Sequence, residues 1–127
     1  MKTSRLENRL GQVVTAGNAV LDGYRFAFNK VGHDGTGKGN IIPDATSVVE
    51  GVIFDLTEKQ LVELDAIEKG YRRVLFPEIE SFVYVAEPEQ TRDGLSPNEE
   101  YFGYVYNGAC EHHLSGPYIQ FLKTLRP

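Results

Sequence analysis

The segment Leu56-Thr57-Glu58-Lys59-Gln60-Leu61 constrains this chain more than any other, because it spells a helix start in full. Thr57 suits the N-cap and Gln60 the N3 position, which together make a capping box. Leu56 and Leu61 flank the box as a hydrophobic staple. Gly70 is suited to end the helix in a left-handed turn. The pattern predicts a helix from about Glu58 to Lys69. Strand patterns lie on both sides of it. Tyr24, Phe26 and Phe28 alternate with Arg25, Ala27 and Asn29, as in a half-buried strand. Val48–Leu56, Arg72–Phe76 and Glu80–Ala86 also read as strands, and Gln12–Val20 precedes them. Thr3–Leu10, Asn98–Glu111 and Gly116–Leu125 read as helices, while Gly32–Asn40 reads as a glycine-rich loop. Strands punctuated by helices predict an α+β domain with a curled or closed sheet.

The 127 residues suit a single domain spanning positions 1–127. A hydrophobic share of 41% against 24% charged residues fits a folded chain rather than a disordered one. The net charge of -5 argues against a general nucleic-acid binder, which needs a basic footprint. Apolar runs of four or five residues are too short for a transmembrane helix. The opening residues lack the apolar stretch of a signal peptide. The single cysteine, Cys110, excludes an internal disulfide framework. A cytoplasmic location is the resulting expectation.

The predicted helix carries two carboxylates on its apolar side. At 100° per residue, Glu68 falls about 20° from Leu61, while Asp65 falls about 40° away on the flank opposite Leu64. Burial raises a carboxylate's pKa, toward the range where one group both accepts and donates a proton. Two readings of Glu68 follow. It is a buried acid/base, or it lies in the last turn and reaches solvent or pairs with Arg72 or Arg73. Asp65 reads as structural, suited to hold an Arg or to accept backbone N–H groups.

Other motifs fit less well. Gly32-His33-Asp34-Gly35-Thr36-Gly37-Lys38 satisfies G-x-x-x-x-G-K, but Gly39-Asn40 follows in place of Ser or Thr and a helix. A surface loop accounts for it better than a phosphate site. Cys110, Glu111, His112 and His113 offer at most two ligands on one helical face, so an incidental helix end is the favoured account.

In order along the chain, several segments resemble the gamma-glutamylcyclotransferase-like family. Val49-Glu50-Gly51-Val52-Ile53-Phe54-Asp55-Leu56 is similar to its hydrophobic-x-G-x-hydrophobic strand. Leu64-Asp65-Ala66-Ile67-Glu68-Lys69-Gly70-Tyr71-Arg72-Arg73 is similar to its L-D-x-x-E-G-x-Y-x-R signature. Ser96-Pro97-Asn98-Glu99-Glu100-Tyr101, Gly108-Ala109 and Leu114–Leu122 resemble its last helices. The resemblance implies a small mixed β-barrel with flanking helices, and cyclisation of a γ-glutamyl group to 5-oxoproline with release of an amine, amino acid or peptide. It implies that Glu68 is the catalytic acid/base and that Tyr71, Tyr84 and Tyr101 contact substrate. No metal or organic cofactor is implied, and a homodimer is left open. Membrane and nucleic-acid partners are not expected.

Two departures accompany the resemblance. Lys69 stands between Glu68 and Gly70, where many members have Glu-Gly. The family's opening strand and Tyr-Gly-Ser-Asn loop have no counterpart, and Met1-Lys2-Thr3 resembles residues just after that loop. The expectation is that the natural protein begins upstream. The alternative function is a catalytically silent binding or structural protein on the same fold.

Overall fold

The computed structural model describes residues 2–127, so Met1 of the opening comparison lies outside the described residues. Helix α1 (Thr3–Leu10) is followed by strands β1 (Val14–Val31) and β2 (Gly37–Asp55). Helix α2 (Glu58–Ile67) leads to β3 (Tyr71–Phe76) and β4 (Ser81–Ala86), and the chain closes with α3 (Glu99–Glu111) and α4 (Gly116–Lys123). The α+β class expected from the sequence holds. Among the described residues its strands pair in two antiparallel ladders, β1–β2 and β3–β4.

The first ribbon is longer and less regular than alternation alone predicts. Gln12–Val20 and Tyr24–Val31 are not two pieces, since β1 runs through Gly23 at φ +81°. Opposite Gly23, β2 makes an excursion, because Asp22 pairs with Val48 while Tyr24 pairs with Pro43. Asp44 closes that excursion by accepting from the Thr46 N–H and hydroxyl and from the Ser47 hydroxyl. Such bulges bend and twist a ribbon. As a result Leu21 and Ile41 face Phe76 of the second ribbon, while Phe26 packs against Leu114, Tyr118 and Leu122 at the helical end.

The glycine-rich loop is shorter than predicted. Only residues 32–36 turn, and Gly37–Asn40 already belong to β2. Close packing is the physical reason for the glycines there. A Cβ on Gly37 would lie 2.3 Å from the Phe28 carbonyl oxygen, and one on Gly39 would lie 3.0 Å from the Phe26 ring. Asp34 ties the turn by accepting from the Thr36 amide, the Thr36 hydroxyl and the Asn98 side chain.

Asn40 is the buried polar residue that links the ribbons. Its Nδ2 donates to Asn29 Oδ1 at 3.0 Å, and its Oδ1 accepts from the Ala86 N–H of β4 at 2.9 Å. A backbone donor buried without a partner costs about 1–3 kcal/mol, so this amide replaces a missing ladder bond.

Helix α2 starts as its sequence predicts. Gln60 N–H donates to Thr57 Oγ1 at 3.1 Å, and Thr57 N–H donates to Gln60 Oε1 at 3.0 Å. The same Gln60 side chain donates from Nε2 to the Leu10 and Gln12 carbonyls, which clamps the end of α1. At the other end of α1, the Thr3 N–H donates to Glu111 Oε2 at 3.0 Å. The helix therefore takes its N-terminal carboxylate from α3, where negative charge is favoured.

Asn40→Ala should lower the unfolding free energy by about 2–4 kcal/mol, through the orphaned Ala86 N–H and the lost side-chain volume. Urea denaturation of the two proteins measures this directly.

Candidate active site

Glu68 is the residue just past the last turn of α2, with φ -80° and ψ 62°. Gly70 at φ +83° then turns the chain into β3. This exit changes what the helical wheel implied. The Glu68 side chain is 25% exposed, whereas Asp65, one turn earlier, is 38% exposed. Asp65 thus lies at the surface edge and not in the interior. It pairs with Arg73 Nε at 3.3 Å and accepts the Tyr84 hydroxyl hydrogen. The structural role expected for Asp65 is the one its contacts support.

The partner of Glu68 is neither Arg72 nor Arg73. Arg9 Nη1 of α1 lies 3.4 Å from Glu68 Oε1. Arg5 and Lys30 also act on the carboxylate electrostatically. Arg5, one helical turn before Arg9, lies over the rings of Tyr101 and Tyr104 at 5.5 and 4.7 Å. Lys30 lies over the Tyr71 ring at 5.1 Å, within favourable cation–π range. Burial pushes the Glu68 pKa above the ordinary carboxylate value, and Arg9, Arg5 and Lys30 offset only part of that rise. The dominant cause is desolvation, which penalises the charged form.

The three tyrosines singled out in the sequence stand within electrostatic reach of Glu68. Two of them meet at one residue. The Tyr71 hydroxyl donates to the Gly39 carbonyl at 2.7 Å, and the Gly39 N–H donates to the Tyr101 oxygen at 3.0 Å. The consequences differ. Tyr71 has spent its hydrogen and keeps lone pairs to accept. Tyr101 has used an acceptor site and keeps its O–H to donate. Tyr84 has spent its hydrogen on Asp65. Burial raises the pKa of all three, so each phenol stays protonated near neutral pH.

The remaining motifs stand apart from this cluster. In the G-x-x-x-x-G-K segment, Lys38 folds back over the Tyr101 ring at 4.3 Å. That position supports Tyr101 rather than a phosphate cradle in the turn. At the end of α3, Cys110 is exposed and His112 contacts Thr3 Oγ1 at 2.8 Å and Glu111 at 2.9 Å. Among the described residues no three His, Cys, Asp or Glu side chains are grouped to hold a metal ion. No helix among them is long and apolar enough to cross a membrane. Two clefts of about 260 and 360 Å³ share Arg25 as a lining residue, and neither is lined by Glu68. Gly39, Arg9, Arg5 and Lys30 are members of the Glu68 cluster that the sequence reading missed. The alternating Gly37 and Gly39 were the available signal for a strand with close neighbours.

Comparison with known proteins follows the same direction. Residues 2–113 match the model of a family described as gamma-glutamyl cyclotransferase, AIG2-like. A solved structure described as a gamma-glutamyl cyclotransferase superposes with a TM-score of 0.81 at 20% identity, covering 99% of this chain and 82% of that one. A human protein described as uncharacterized gives 0.80, also at 20% identity, with the same coverage. YkqA of Bacillus subtilis gives 0.72 at 18% identity, covering 95% of this chain and 46% of its own. No sequence among curated proteins matches this chain. Identities this low carry the fold across and nothing finer.

The raised Glu68 pKa has a sign that stability measurements can read. The folded state holds the Glu68 proton more tightly than the unfolded state does. Glu68 therefore costs stability as pH rises above the ordinary carboxylate range. Glu68→Gln removes that titration. Relative to wild type, the Gln protein should gain stability as pH rises from about 4 to about 7. Urea midpoints taken across that range give the comparison.

Proposed function

The chain belongs to the gamma-glutamyl cyclotransferase, AIG2-like family, and on that premise we propose that it cyclises a γ-glutamyl group to 5-oxoproline and releases an amine, amino acid or peptide. The observation that carries the proposal is a half-buried carboxylate, Glu68, with a raised pKa beside hydroxyls of fixed hydrogen-bond polarity. Such a group suits an intramolecular acyl transfer that needs protons carried from the attacking nitrogen to the leaving one.

The α-ammonium of the substrate first gives a proton to Glu68. The freed amine attacks the γ-carbonyl carbon, forming the ring C–N bond. Charge then develops on the carbonyl oxygen, where the unspent Tyr101 O–H is suited to donate. Collapse breaks the bond to the leaving nitrogen, which takes the proton back from Glu68. The ring nitrogen then gives up the second proton of the former ammonium, which Glu68 passes on to the departing amine, so two protons leave the attacking nitrogen and two reach the leaving group. Tyr71, with lone pairs free, is suited to accept from the ammonium and orient it. Tyr84, the third tyrosine that the resemblance links to substrate, is fastened to Asp65 by its hydroxyl.

Glu68→Gln keeps the side-chain shape and removes the proton carrier. Turnover of a γ-glutamyl dipeptide should fall about 10²–10⁴-fold, measured as 5-oxoproline released. Near wild-type release by the variant would reject the assignment. Asp65→Asn should lower the melting temperature through its weakened hold on Arg73 and Tyr84, while turnover stays close to wild type. A variant that melts normally but turns over poorly would reverse the two roles.

A further inference from the structure

The pair formed by Glu68 and Arg9 has a shape of its own. A carboxylate and a guanidinium lie 3.4 Å apart, one at the exit of α2 and the other on the first helix of the chain. An α-amino acid carries the same two charges with the opposite assignment. Its ammonium and carboxylate share one carbon, and bonds of about 1.5 Å each hold them side by side. We infer that Arg9 is the seat of the substrate's α-carboxylate, so that substrate enters by exchanging partners with the Arg9–Glu68 ion pair. The inference rests on the cyclotransferase reading and names how that site recognises its substrate.

On binding, the ammonium takes the place of Arg9 at Glu68, and the carboxylate takes the place of Glu68 at Arg9. One ion pair becomes two, with no charge left unpaired. Arginine suits this exchange because its planar fork meets a carboxylate through two parallel N–H groups. Arg5 and Lys30 are occupied elsewhere, on the faces of Tyr101 and Tyr71. Lys30 is further confined by Gly70, where even a Cβ would lie 2.8 Å from its Cε. Both cations still act on Glu68, so the surroundings keep a positive surplus that favours an incoming anion. Ring closure turns the ammonium into an uncharged lactam N–H. The product keeps the carboxylate and loses the group that displaced Arg9 from Glu68. The original ion pair re-forms against the product, which favours its release.

Three probes separate the charges: γ-glutamyl-alanine, 4-aminobutanoyl-alanine, which lacks the α-carboxylate, and glutaryl-alanine, which lacks the α-amine. Titration calorimetry measures each against wild type, Arg9→Gln and Arg9→Lys, and circular dichroism melts confirm that each protein is folded. Wild type should prefer γ-glutamyl-alanine over 4-aminobutanoyl-alanine by about ten- to a hundredfold, the usual worth of a charge-assisted hydrogen bond. Arg9→Gln should lose that preference, and Arg9→Lys, which keeps charge without the fork, should regain part of it. A preference undiminished in folded Arg9→Gln, or a wild type that binds both compounds equally, overturns the role of Arg9 and leaves the cyclotransferase reading standing. Failure of wild type to bind γ-glutamyl-alanine at all overturns that reading, and the inference with it. Equal binding of glutaryl-alanine and γ-glutamyl-alanine overturns the exchange, because the ammonium then contributes nothing.

Discussion

The side chain of Asn40 is the interaction on which the rest of the arrangement depends. Two ribbons that share no continuous ladder must still satisfy their facing backbone groups. Asn40 does this with one amide, accepting from Ala86 and donating to Asn29. Its neighbour in β2 is Gly39, whose N–H and carbonyl hold the hydroxyls of Tyr101 and Tyr71. Consecutive residues thus fix the two ribbons and the two phenols. A shift of β2 by one residue would exchange their faces and undo both at once.

Glu68 and Asp65 show how position on one helix divides two identical functional groups. Asp65 is at the surface edge, held by Arg73 and Tyr84. Glu68 leaves the helical path and is drawn inward, where desolvation outweighs the attraction of three nearby cations. A carboxylate satisfied by a hydrogen-bonded arginine and a phenol is a fastening. One that is underhydrated, with cations close but not dominant, is ready to exchange a proton.

Much of this was legible because it is local. The capping box and the glycine at the end of α2 are both set within about four turns of chain. What escaped is non-local. Arg9 and Glu68 are 59 residues apart, and no periodicity links them. Gly37–Asn40 looked like loop by composition, yet small residues were required there by the Phe28 carbonyl and the Phe26 ring. The excursion at Asp44–Ser47 left no trace in the alternation of Tyr24, Phe26 and Phe28, because it falls on the partner strand. The wheel also placed Asp65 inside, since it assumes a straight helix against a broad core. Here the core meets α2 mainly at Leu64.

Helix α1 has no side-chain cap of its own and buries only Leu10. Its ends are fastened by residues distant in the chain, Glu111 at one side and Gln60 at the other. Helix α1 brings Arg5 and Arg9 to Glu68 together. The contacts made by Glu111 and Gln60 at its two ends therefore also place two of the three cations around the carboxylate, although neither residue touches it.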